Sequence, residues 1–176
     1  SQVRRYSPYS GMKEAIACVL TSFASAAPEN THIIIRNHPL DNGLIDYATF
    51  IDSFAKACGI RERVHFVEGA KANRMMDKSI GVVVLNSTIG ITALRLGKPV
   101  YCVGTAIYAM EGLAVNSEQM PLDDFWHQKR APQRDALADF ERVLKTHALI
   151  NGNFYTPEGI DTAIDGILRR LGNDME

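Results

Sequence analysis

The sequence predicts an α/β protein: a doubly wound, Rossmann-like parallel sheet followed by C-terminal helices. Three observations carry that expectation. Short β-branched runs alternate with amphipathic segments of helical period, the signature of βαβ crossovers. The runs Ile33-Ile34-Ile35 and Gly81-Val82-Val83-Val84-Leu85 are apolar throughout rather than alternating, as strands buried on both faces are. The chain is 176 residues long with 46% hydrophobic and 22% charged side chains, so it has enough apolar surface to offset the entropy of ordering.

Each element has its own local warrant. Ser10 is placed to cap a helix whose apolar positions Met12, Ile16, Val19, Leu20 and Phe23 recur at helical spacing, with Pro28 beyond its end. The strand Ile33-Ile34-Ile35 follows. Tyr47, Phe50, Ile51, Phe54, Ala55 and Cys58 then form a helical stripe that Gly59 closes at C′. Val64-His65-Phe66-Val67 reads as a short strand, 72–79 as a short helix, and 81–85 as the strongest central strand. A helix over 89–96 is stopped by Gly97 and Pro99 and leads into the strand Val100-Tyr101-Cys102-Val103. The pattern loosens through Pro121 and becomes helical again over 134–147 and 157–171. With no internal repeat or linker, residues 1–176 read as a single α/β domain of doubly wound type with a helical C-terminal extension.

Composition excludes several classes of function. Lys and Arg total 19 against 20 Asp and Glu, a net charge of −1, so no basic excess suits a nucleic-acid backbone. No apolar run has membrane-spanning length, and nothing resembles a signal peptide. Cys18, Cys58 and Cys102 are odd in number and sit in apolar segments, which predicts buried thiols in a reducing, cytoplasmic setting rather than a disulfide frame or zinc site.

Open parallel sheets bind ligands beyond the carboxyl ends of their strands, which directs attention to three junctions. The first is Arg36-Asn37-His38-Pro39-Leu40-Asp41. Pro39 biases His38 toward extended backbone, and an imidazole at that edge either serves a phosphate or a leaving group, or simply caps a turn. The second is Asn86-Ser87-Thr88-Ile89-Gly90, where Ser87 or Thr88 falls at a helix N-cap. There hydroxyls and backbone N–H groups converge on an anion, or cap the helix with no ligand at all, and Gly90 lets a ligand come close. The third, Gly104-Thr105-Ala106-Ile107-Tyr108, either shapes the same cleft, with Tyr108 stacking or hydrogen-bonding there, or is an ordinary turn leading to a buried tyrosine. Neither a glycine-rich dinucleotide loop nor a GxxxxGK[ST] phosphate loop is present. Asp123 and Asp124 point apart on a helix by about 100° and read as first-turn acids beside the packing Trp126. His65, His127 and His147 lack metal-ligand spacing, so no metal is expected.

These motifs, with Gly97-Lys98-Pro99-Val100, Gly112-Leu113, Leu122-Asp123-Asp124-Phe125-Trp126 and Asn151-Gly152-Asn153-Phe154-Tyr155 in the same order, resemble the bacterial capsule polysaccharide biosynthesis/export family. Its members include β-Kdo transferases of the capsule lipid anchor and are similar to GT-B glycosyltransferases. The resemblance implies that this chain, which opens at Ser1 without Met, is the C-terminal, donor-binding half of such an enzyme, and that an acceptor-binding half precedes it. It further implies a CMP-Kdo donor, a lipid-linked acceptor at the inner membrane and other capsule assembly proteins as partners. On this basis His38 is the catalytic candidate, and Pro39, Asn86, Ser87, Thr88, Gly90, Gly104 and Tyr108 are the substrate-binding ones. The resemblance also implies that the nucleophile or base lies in the other half. Ala109, Ala114 and His147 depart from the family pattern, where Asp, Thr and Gln are usual. Two other readings compete: a UDP-sugar transferase or epimerase of the same architecture, and a non-catalytic interaction domain.

Overall fold

The computed structural model describes residues 2–38, 43–69, 72–128 and 130–173. Residues 1–134 form one compact unit and 135–176 a second. The first unit carries five strands: β1 (Ile33–Arg36), β2 (Val64–Val67), β3 (Val82–Val84), β4 (Val100–Cys102) and β5 (Val115–Asn116). Its helices are α1 (Gln2–Tyr6), α2 (Met12–Ala26), α3 (Tyr47–Ala57), α4 (Ala72–Lys78), α5 (Ile89–Arg95) and α6 (Leu122–Phe125).

The strand–helix alternation and the parallel pairing agree with the sequence, but the sheet is divided. β1 pairs only with β2, with Ile33 opposite Val64 and Arg36 opposite Val67. β3, β4 and β5 form a second parallel sheet in that order. No strand among the described residues joins β1 to β3, so the single doubly wound sheet expected from the periodicity is here two small parallel sheets. The expectation that β1 is buried on both faces fails for the same reason: Ile34 is 52% exposed.

Both sheets nevertheless share one core. Leu20 and Phe23 of α2, Ile51 and Ala55 of α3, Val64 of β2 and Tyr101 of β4 cluster with Met120, Phe125 and Trp126. Phe23 meets Trp126 edge to face, with centroids 5.3 Å apart. Ser22, a buried polar side chain of this region, is satisfied on both sides: its hydroxyl donates to the Asp123 carboxylate and accepts from Trp126 Nε1 at 2.8 Å. Arg63 lies over the Phe23 ring and donates to the Thr31 and Pro28 carbonyls at 2.9 and 2.7 Å, holding the turn between α2 and β1.

Local signals were partly right about boundaries. Gly59 closes α3 with φ +70, as a C′ glycine should. The α2 N-cap is Gly11 rather than Ser10, whose backbone N–H and hydroxyl instead donate to Glu14 at 2.7 and 2.6 Å. Of the cysteines only Cys102 is fully buried; Cys18 is exposed, contrary to expectation, and all three are free thiols. In the second unit, α7 (Arg134–Val143) runs into one wide π-type turn over Leu144–Ala148, and α8 (Pro157–Asn173) follows. Asn153 Oδ1 accepts from the Tyr155 and Thr156 amides at 2.8 and 3.0 Å, so the Asn151–Tyr155 motif serves as the entry to α8.

Ser22→Ala removes the buried hydroxyl that links the Trp126 N–H to the Asp123 carboxylate and is expected to cost about 1–3 kcal/mol, measured as a lowered urea midpoint at unchanged slope.

Candidate functional site

The β3–α5 junction is built from the backbone outward. Asn86 is half-buried, whereas Ser87 and Thr88 are exposed. Thr88 occupies the N-cap of α5 but its side chain makes no cap bond. The Ser87 hydroxyl accepts from the Ile89 amide at 3.4 Å instead, and the Gly90 and Ile91 amides donate to the Ser87 and Thr88 carbonyls, both at 3.0 Å. The first amides of α5 are thus closed within the turn, and the exposed groups it presents are the two hydroxyls.

That turn is fixed from behind by Tyr108. Its ring is 1% exposed, and its hydroxyl donates to the Ser87 carbonyl. It lies so close to Gly90 that a Cβ there would fall inside the ring's van der Waals envelope, 2.7 Å from Cε2. The glycine that was expected to admit a ligand therefore admits Tyr108. Of the two readings of Tyr108, a ligand contact or a buried tyrosine after a turn, its burial matches the second, and it supports the turn. The Cys102 thiol shares the pocket, in hydrogen-bonding contact with Tyr108, and burial pushes it up to about 12. Burial likewise raises the Tyr108 hydroxyl far above the ordinary phenol range.

Gly104, after β4, meets the same structure from the other side. Its amide donates to the Leu85 carbonyl at 2.9 Å and the Thr105 amide to the Tyr6 carbonyl at 2.7 Å. A Cβ at Gly104 would lie 2.7 Å from the Tyr6 carbonyl and 3.1 Å from that of Leu85, so only glycine fits. The structure thereby gathers Ser87, Gly90, Gly104 and Tyr108 into one assembly, with Asn86 and Thr88 on the same turn. It adds Tyr6, Leu85 and Cys102, which the sequence did not single out. Cys102 had a weak signal, being the inward residue of an apolar strand; Tyr6 had none, because its role depends on a contact 99 positions away in Thr105.

His38 belongs to the other sheet. It is exposed at the carboxyl end of β1, and its amide donates to Asn37 Oδ1 at 2.9 Å. Asn37 in turn ties β1 to β2, donating through its amide to the Val67 carbonyl at 3.0 Å and through Nδ2 to Glu68 at 3.5 Å. Pro39, with Leu40 and Asp41, lies outside the described residues. Elsewhere, His65 pairs with His32 across 2.9 Å of ring nitrogens, and His127 meets the Ala26 carbonyl at the end of α2. Among the described residues no group of three His, Cys, Asp or Glu converges as a metal site. A recess of about 610 Å³ lined by Thr49, Asp52, Arg61 and His65 lies between α3 and β2.

The model of the family described as capsule polysaccharide biosynthesis proteins matches residues 1–155. The chain belongs to this family. Among curated capsule proteins, it is 33% identical over 157 residues to the capsule polysaccharide modification protein LipB of Neisseria meningitidis serogroup A, covering 89% of this chain and 37% of LipB. It is 30% identical over 155 residues to the capsule polysaccharide export protein KpsS of Escherichia coli, covering 88% of this chain and 39% of KpsS. Protein FixF of Sinorhizobium fredii is 26% identical over 185 residues. The chain thus spans well under half the length of these relatives. No solved structure matches it significantly. No helix among the described residues of this capsule-family chain is long and apolar enough to cross a membrane.

Gly90→Ala is expected to cost about 1–3 kcal/mol by overpacking against Tyr108, and almost nothing in a Tyr108→Ala background; a double-mutant cycle by chemical denaturation reads the difference. Alkali adds a second check. The unfolded Cys102 thiol ionises near 9.0 while the folded one keeps its proton to about 12, so stability falls as pH rises through that window, and Cys102→Ala makes the fall shallower.

Proposed function

We propose that this chain is the donor-binding half of a GT-B glycosyltransferase, a doubly wound domain that binds CMP-Kdo for transfer of Kdo to a lipid-linked acceptor in capsular polysaccharide biosynthesis and export. The observation that carries the reading is the exposed Ser87–Thr88 turn at the carboxyl end of β3 in a member of a capsule biosynthesis family. LipB and KpsS are named for capsule polysaccharide modification and export, which supports the same setting.

The chemistry suits these groups. A CMP-sugar leaves with one phosphate, which needs less neutralisation than a diphosphate. Ser87 and Thr88 hydroxyls, with the Asn86 amide beside them, supply donors to its oxygens. His38, exposed after β1, protonates or hydrogen-bonds the departing phosphate as the bond from the anomeric carbon to the phosphate oxygen breaks. The acceptor hydroxyl forms the new bond, and its proton passes to a base in the acceptor half. Gly90, Gly104 and Tyr108 act by fixing the shape of the turn, and Pro39 by directing His38. The work takes place in the cytoplasm at the inner membrane, where a lipid-linked acceptor and other capsule assembly proteins meet the domain.

Titration calorimetry or thermal shift with CMP, UMP, UDP and ADP tests the donor. Selective stabilisation by CMP, lost in Ser87→Ala, is the expected result; preference for UDP keeps the architecture and replaces the donor, and no binding by the full-length protein removes the nucleotide reading. In the full-length enzyme His38→Ala is expected to lower turnover by about 10²–10⁴. Unchanged turnover takes His38 out of the mechanism.

A further inference from the structure

The second unit holds a recess of its own, about 300 Å³ in volume, between the segment that leads into α8 and the face of α8 that carries Thr162, Gly166, Arg169 and Arg170. All of its walls come from residues 135–176. Close packing fixes their spacing. A Cβ at Gly152 would lie 2.5 Å from the Gly159 carbonyl, and one at Gly166 would fall inside the Ile150 side chain, so the segment lies directly against the helix. Arg170 holds it there, donating through Nη2 to the Thr146 and Leu149 carbonyls at 2.9 and 3.2 Å. We propose that this recess is a binding site for a small phosphate ester, held by the guanidinium groups of Arg169 and Arg170. The site is separate from the Ser87 turn, and the inference does not rest on the donor reading above.

The donors around the recess point to an anion. Arg169 spends only Nε, on the Asp165 carbonyl at 3.2 Å, and Arg170 spends only Nη2. Their remaining N–H groups make no hydrogen bond among the described residues, and neither guanidinium makes an ion pair there. Asp165, the acid one turn before Arg169, offers its carbonyl and not its carboxylate. No carboxylate lines the recess, whereas the Asn151 carboxamide does, and its side chain makes no hydrogen bond among the described residues. Cations suit the last turn of a helix, but that accounts for their charge and not for unspent donors around a shared recess. A phosphate oxygen set matches two such forks and offsets their mutual repulsion. Size and lining narrow the ligand further. The volume stands at the lower end of the range of about 300–1,000 Å³ usual for ligand sites, which suits a phosphate on a single small carbon skeleton rather than a nucleotide. Leu149 and Ile150, 51% and 37% exposed, give that skeleton an apolar wall.

Nuclear magnetic resonance titration of the 1–176 chain at constant ionic strength tests the proposal. Glucose 1-phosphate is expected to shift the Arg169 and Arg170 Nε–Hε signals and the Gly166 amide with one saturable midpoint, while glucose leaves them in place. Arg169→Gln, which keeps the Arg170 bonds to Thr146 and Leu149, is expected to weaken binding about tenfold with an unchanged urea midpoint. Vesicles of phosphatidylcholine and phosphatidic acid present the same phosphate monoester on a lipid. Binding to them that Arg169→Gln abolishes, without saturation by glucose 1-phosphate, keeps the site and makes its ligand a headgroup. No saturable response to either probe overturns the proposal. An unchanged affinity in Arg169→Gln, shifts confined to Ser87 and Thr88, or a response that sodium chloride reproduces overturns it equally. CMP enters none of these titrations, so a failure here is separate from any failure of the donor to bind.

Discussion

The contact on which the candidate site depends is the burial of Tyr108 against Gly90. With its hydroxyl on the Ser87 carbonyl and its ring over a residue that has no side chain, Tyr108 leaves the loop after β3 little freedom to move without opening a void. Gly104 repeats the device, letting the Leu85 and Tyr6 carbonyls approach a backbone that any Cβ would push away. Three segments distant in sequence thereby become one rigid support. The two exposed hydroxyls of Ser87 and Thr88 are presented by a scaffold that cannot easily rearrange, which is what orienting a phosphate requires.

The rest of the first unit places that support. Phe23, Phe125 and Trp126 fill the space between the helices and the sheets, and Ser22 allows a Trp N–H and a carboxylate to face the core without loss. Arg63 performs a similar service at the end of α2, where its guanidinium donates to the Thr31 and Pro28 carbonyls of the following turn. These contacts explain how two sheets with no strand pairing between them among the described residues still share one hydrophobic core. They also explain why β1 keeps its position with Ile34 half in solvent.

The α/β fold by itself assigns no function, since such folds host many unrelated chemistries. Membership of a capsule biosynthesis family narrows the setting, and the proposed anionic ligand rests on the hydroxyl-rich turn. His38 lies at the end of the sheet formed by β1 and β2, and the Ser87 turn at the end of the sheet formed by β3 to β5. The proposed cooperation of the two on one phosphate therefore requires the carboxyl ends of both sheets to face a common space.

Much of the local structure was legible in the residues. Val64–Val67 matches its apolar run residue for residue, β1 gains only Arg36, and Gly59 ends α3 as its type and place require. Asp123 was rightly read as an acid beside a packing Trp, although its bond to Ser22, 101 positions away, had no sequence signal. β5 escaped notice because two residues carry no periodicity. The sequence by itself determined the α/β class, the parallel strands and the junctions that hold Ser87, Thr88 and His38, because those follow from hydrophobic period and turn chemistry within a few residues. Only the tertiary structure decided that the sheet divides, that Gly90 serves Tyr108, and that Tyr6 closes over Gly104. Each of those is a contact between distant segments, fixed by steric fit and hydrogen-bond satisfaction that no local pattern encodes.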